Sequence, residues 1–96
     1  MDENINLVKL SIQRALLGEV SSFLRAVVFS INNKDIEIRF YFDGVINEED
    51  RESASCVETE VIADYDEDYS INANCLRVDA CDPINDRGVW VYKRRE

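Results

Sequence analysis

The side chains able to do chemistry in this chain are mostly carboxylates, and they are concentrated. Eleven acids fall between Asp43 and Asp68 (Asp43, Glu48, Glu49, Asp50, Glu52, Glu58, Glu60, Asp64, Asp66, Glu67 and Asp68), with one base, Arg51, among them. That stretch carries −10 of a total charge of −9, so the rest of the 96 residues is +1. A divalent cation needs oxygens converging on one point, and a calcium loop needs alternating acids with a glycine and a closing glutamate at fixed places. Asp64-Tyr65-Asp66-Glu67-Asp68 alternates acids, but no glycine follows where the loop requires it. Paired carboxylates acting as acid and base need a cleft around the substrate, and a chain this short forms a shallow one at best. Neither a metal nor a cofactor is expected.

The chain has no histidine. The commonest general base and metal ligand is therefore absent, and serine–histidine and cysteine–histidine nucleophiles are excluded. Cys56, Cys75 and Cys81 form no CxxC pair, which makes a zinc site improbable without histidines or a fourth cysteine. Cys56 reads as a small core residue in a helix, while Cys75 and Cys81 are placed to approach each other across a turn. No glycine-rich phosphate loop is present. These absences point away from an enzyme.

Two readings of the acids remain. One is a solvated helix face and loop. The other is a docking surface for a basic protein, because a concentrated negative field speeds association with a cationic partner. The same field argues against direct binding of nucleic acid or an anionic membrane. If the partner's basic patch normally holds phosphates, the acids compete with nucleic acid for it. The candidate surface is Asp43, Glu48, Glu49, Glu52, Glu60, Asp64, Asp66, Glu67 and Asp68. Tyr65 and Tyr69 are its anchors, since tyrosine joins a large contact area to a polar tip. Phe40, Phe42, Trp90 and Tyr92 have strand spacing and read as core.

The elements that must position these residues follow from periodicity. Ile5, Val8, Ile12, Ala15 and Leu16 have the three-and-four spacing of an amphipathic helix. Asn4 is its candidate cap and Gly18 its left-handed stop. Leu7, Leu10 and Leu17 widen the stripe, which predicts burial on more than one side. From Leu24 the period becomes two: Val27, Phe29 and Ile31, a turn at Asn32-Asn33-Lys34-Asp35, then Ile36, Ile38, Phe40 and Phe42 against Glu37, Arg39, Tyr41 and Asp43. A hairpin over Leu24 to Phe42 results. Asn47 caps a second helix, with Glu48, Glu49 and Asp50 in its first turn where the dipole favours anions. Ala54, Val57 and Val61 face the sheet, Glu52, Glu58 and Glu60 face solvent, and the helix stops near Tyr65. Tyr69 to Asp79 reads as a strand whose phase slips after Cys75, implying a bulge or a sheet edge. Residues 82–88 form a loop, and Val89 to Tyr92 a short closing strand.

The order is α-β-β-α-β-β in one α+β domain: two helices on one face of a four-stranded, mostly antiparallel sheet. The other sheet face, with Glu37, Arg39 and Tyr41, is open to solvent or a partner, so a small adaptor or self-associating subunit is the alternative function. An exposed edge also permits a homodimer across a two-fold axis. No apolar run reaches membrane-span length, and the N-terminus has no secretory signature. Reduced thiols in a cytoplasm are expected.

Several stretches carry a resemblance. They are Leu16-Leu17-Gly18-Glu19-Val20, Leu24-Arg25-Ala26-Val27, Arg39-Phe40-Tyr41-Phe42-Asp43-Gly44 with Glu48-Glu49-Asp50, Glu58 to Tyr65, and Gly88-Val89-Trp90-Val91-Tyr92 with its basic tail. Together they resemble the small bacterial immunity proteins of contact-dependent growth inhibition and related polymorphic toxin systems, over most of the chain from Leu16. The resemblance implies a cytoplasmic protein that binds and neutralises one cognate toxin domain, often a nuclease. It supplies no site residues, because immunity surfaces differ with each toxin.

Overall fold

Alternation in the middle of the chain builds the hairpin on which everything else rests. In the computed structural model, which describes residues 2–95, β1 (Leu24–Asn32) and β2 (Asp35–Phe42) pair antiparallel. Val27 lies opposite Phe40, Phe29 opposite Ile38 and Ile31 opposite Ile36. The turn is tight because Asn33 accepts φ of 59°, a left-handed conformation that asparagine tolerates better than most residues.

Helix α1 (Asp2–Ala15) precedes the hairpin, and α2 (Glu48–Ala63) follows it. Strands β3 (Ser70–Arg77) and β4 (Val89–Lys93) complete a sheet of order β3-β2-β1-β4. The α2 crossover returns the chain in its original direction, so β2 and β3 are parallel. The β1–β2 and β1–β4 pairs are antiparallel. The α+β class, the element order and the mostly antiparallel sheet are those expected from the sequence. Both helices cover one sheet face: Val8, Ile12 and Ala15 of α1 and Ala54, Val57 and Val61 of α2 share a core with Val27, Phe29, Ile36, Ile38, Phe40, Phe42 and Ile71.

Boundaries and caps divide between confirmation and correction. Asn47 is the α2 cap, its side chain accepting from the Asp50 amide at 2.8 Å, and Gly18 takes φ of 81° after α1. Asn4 is not the α1 cap, because the helix already runs from Asp2. Leu7, Leu10 and Leu17 are not buried: they stand 60%, 54% and 80% exposed, the first two on the outer side of α1 and the third in the turn after it. One helix resting on a sheet buries one stripe, and Val8, Ile12 and Ala15 fill it. Cys56 is exposed rather than core, since the inward positions of α2 belong to Ala54, Val57 and Val61.

The phase slip expected in the third strand is a sheet edge, not a bulge. Residues 70–77 pair with β2 in unbroken register, and Leu76 points to the face opposite Ile71 and Cys75. The irregularities lie in the pairings of β1, between Leu24 and Ala26 and between Val27 and Val28.

The second sheet face is not bare. Ala26, Val28 and Tyr41 form a small core there with Val78, Ile84 and Trp90. The connection between β3 and β4 folds back over it. Arg25, 5% exposed, donates from one guanidinium nitrogen to the carbonyls of Val78, Asp79 and Asp82 at 2.8, 3.0 and 2.9 Å. At the far end of this connection Gly88 packs so closely that a Cβ would lie 2.6 Å from the Phe29 carbonyl oxygen.

Candidate functional site

Helix α2 displays most of the acids because its buried stripe is narrow, Asp50 followed by Ala54, Val57 and Val61, leaving the rest of the circumference to polar residues. Glu48, Glu49, Glu52 and Glu60 are exposed on it, and Asp66 and Glu67 are exposed in the turn that follows. The carboxylates of these six have no hydrogen-bond or ion-pair partner among the described residues.

The remaining acids are committed to the fold in different degrees. Asp64 caps the C-terminus of α2 and ties it to α1, accepting from the Ser11 hydroxyl and from Arg14 at 3.4 Å. Asp68 pairs with Lys34 at 3.2 Å. Asp43 belongs elsewhere: it accepts from the Ala80 amide at 3.0 Å and faces Arg94 at 3.6 Å, anchoring the β3–β4 connection and the basic tail. Asp50 turns inward and is 5% exposed. Glu58 is only half exposed, contrary to the sequence expectation. Its carboxylate accepts from the Ala73 amide on β3 at 2.6 Å, a donor on the strand's outer edge.

Tyr65 and Tyr69 are half-buried neighbours, ring centroids 4.7 Å apart, packed on the edge of the core. Lys34 lies over the Tyr69 ring, 5.8 Å from its centroid. Burial, with Tyr69 and Asp64 beside it, pushes the Tyr65 phenol up. The structure thus brings Asp64, Tyr65, Asp66, Glu67, Asp68 and Tyr69 together at one end of α2, places Glu48, Glu49, Glu52 and Glu60 along it, and separates Asp43 from them by its anchoring role.

Sequence reasoning missed a polar centre on the second sheet face. The Asp86 carboxylate accepts from Arg39 at 2.6 and 2.9 Å, from the Tyr41 hydroxyl at 2.6 Å and from the Gly88 amide at 2.8 Å. Its carbonyl accepts from the Trp90 indole at 3.1 Å. Arg39 donates further to Glu37 at 2.6 Å and Ser30 at 2.7 Å. The Arg39 hydrogen bonds hold the Asp86 carboxyl down at about 2, against the desolvation that opposes them. Every strong group here is matched inside the chain, so the centre fastens a loop and presents nothing to a substrate. Its only sequence signal was the polar pair Arg39 and Tyr41 in the alternating strand.

The surface depressions are shallow. One of about 270 Å³ is lined by Arg25, Pro83, Ile84, Trp90 and Lys93, and one of about 400 Å³ runs between α2 and β3 past Arg51, Glu58 and Cys75. All three thiols are free, and burial pushes that of Cys75 up, away from the thiolate a nucleophile needs. No helix among the described residues is long and apolar enough to cross a membrane.

Residues 5–96 match the MafI2 immunity protein family. The chain belongs to that family. No curated protein matches it significantly. MafI2 proteins are immunity proteins and not enzymes, so membership implies a cognate MafB-type toxin that this chain neutralises. Neutralisation needs a protein-binding surface, not a catalytic pocket. That requirement fits a MafI2 chain whose Asp86 centre is matched internally and whose outer helix acids are not.

Proposed function

We propose that this MafI2 protein neutralises its toxin by setting the acidic outer side of α2 and the α2–β3 turn on the basic, phosphate-binding surface of a nuclease domain. Glu48, Glu49, Glu52, Glu60, Asp64, Asp66, Glu67 and Asp68 pair with lysines and arginines of the toxin, and the bulk of the fold excludes its substrate. Asp43 contributes to the field from the side, and Tyr65 and Tyr69 frame the turn. The supporting observation is the six exposed carboxylates on α2 and its following turn that have no partner among the described residues. The resemblance to contact-dependent systems supports action in the cytoplasm, on toxin delivered between neighbouring bacteria.

The test is association with the cognate MafB-type toxin domain at low and high salt. Reversing Glu67 and Asp68 together, or Glu52 and Glu60 together, slows association by about tenfold and flattens its salt dependence. Unchanged kinetics in both double variants rule this surface out. The sheet-face adaptor is less well supported, because the centre of that face is occupied by Val78, Ile84 and Trp90 of this chain.

A further inference from the structure

Leu7, Leu10 and Leu17 are accounted for neither by the core nor by the acidic field. With Arg14 they follow one another at intervals of three, four and three residues, which sets them along one line of α1 and its final turn. Val20 and Phe23, also exposed at 42% and 50%, follow in the connection to β1. Single exposed apolar residues are ordinary on a protein surface, whereas a line of leucines on a helix marks a contact.

This line borders the acids of α2. Arg14, a member of it, reaches across to Asp64. Arg14 and Ala15 together with Glu60, Ala63 and Asp64 line a trough of about 290 Å³ between the two helices. The outer surface of the helical layer therefore carries a line of leucines on the α1 side and acids on α2.

We propose that the leucine line of α1 is the desolvated centre of the toxin contact and the α2 acids are its charged rim. The occupant is a basic protein surface, the toxin domain, presenting apolar side chains flanked by lysine or arginine. The inference rests on the acidic-face reading above. An apolar centre with a polar rim is the ordinary build of a stable interface. Charge complementarity selects the occupant. A second copy on the same face brings the two acidic rims together, and an anionic membrane is repelled by the same carboxylates.

The two halves act on different rates. Rim charges govern encounter, and desolvated apolar contacts govern escape. Glutamine keeps helix propensity close to that of leucine at Leu7 and Leu10, Leu17 lies in the turn after the helix, and all three positions are exposed, so Leu7→Gln/Leu10→Gln/Leu17→Gln keeps the wild-type circular dichroism and melting temperature. Measured against the cognate toxin domain, its dissociation is at least about 30-fold faster, with association changed by less than about twofold. Leu10→Gln alone gives a smaller change of the same kind, about fivefold, should the triple variant fail to fold. Dissociation within about threefold of wild type in the triple variant overturns the leucine centre and leaves the acidic face standing. A toxin that does not bind the wild-type protein overturns both. A wild-type dimer in sedimentation that the triple variant abolishes overturns the choice of occupant in favour of a second copy.

Discussion

Asp86 shows how much a single carboxylate organises. Its side chain is 6% exposed and holds Arg39, Tyr41 and the Gly88 amide at once, joining the β3–β4 connection to the middle of the sheet. Removing it by Asp86→Ala takes its two-bond partner from a guanidinium that is itself only 15% exposed, leaving it Glu37 and Ser30. Unfolding in urea is expected to show a loss of about 2–4 kcal/mol, with Tyr41→Phe losing about 1 kcal/mol. The pH dependence has a definite sign. The carboxyl's pKa is lowered from 3.8 to about 2 on folding, so its contribution is fully present above the unfolded value and disappears as pH falls through the folded one. The wild type is therefore expected to lose about 1–2 kcal/mol between about pH 5 and pH 2 that Asp86→Ala does not lose over the same interval. Parallel acid titrations of the two proteins, followed by circular dichroism, check this.

Strand β3 is an edge, and edges invite pairing with other chains. Glu58 reaches from α2 to occupy the Ala73 amide, which turns a helix acid into a plug for the strand's exposed side. Glu58→Ala is expected to lower stability by about 1–2 kcal/mol and to produce concentration-dependent association in gel filtration, whereas Glu58→Gln, which keeps an acceptor, does neither to the same extent. This role also marks where the sequence stopped being legible. The hairpin, the Asn47 cap and the buried stripe of α2 could be read because each is a local pattern: alternation, a capping residue, apolar spacing. Glu58 looked like any outward acid, since its partner comes from a strand fifteen residues on. Leu7, Leu10 and Leu17 looked like core because periodicity alone does not say how much of a helix its sheet can cover. Cys56 was misplaced for the same reason, Ala54 and Val57 having already filled the inward positions beside it. Of the candidate site, the acids on α2 and its following turn were legible from charge density, while the diversion of Asp43, Asp50 and Glu58 into internal roles was not.

The whole molecule holds its charge unevenly, and this has a consequence for stability as well as binding. Glu48 and Glu52 are four residues apart on α2, with Glu49 beside them, an arrangement that repels along one helix face. The last turn of α2 carries no base to meet the negative end of its dipole, leaving Ser11 and Arg14 of α1 to compensate Asp64. A surface selected only for folding would intersperse lysines here. Glu52→Lys converts two repulsions into attractions, so it is expected to raise the unfolding free energy by about 0.5–1 kcal/mol at low salt, the gain shrinking as salt screens the helix. The same variant is expected to associate with the toxin more slowly. Urea unfolding and stopped-flow association, each across a salt series, measure the two effects on one protein. Opposite signs mean that the acids of α2 weaken the free chain and serve its partner. A loss of stability in Glu52→Lys would instead make that carboxylate part of what holds the helix, and remove it from the docking surface.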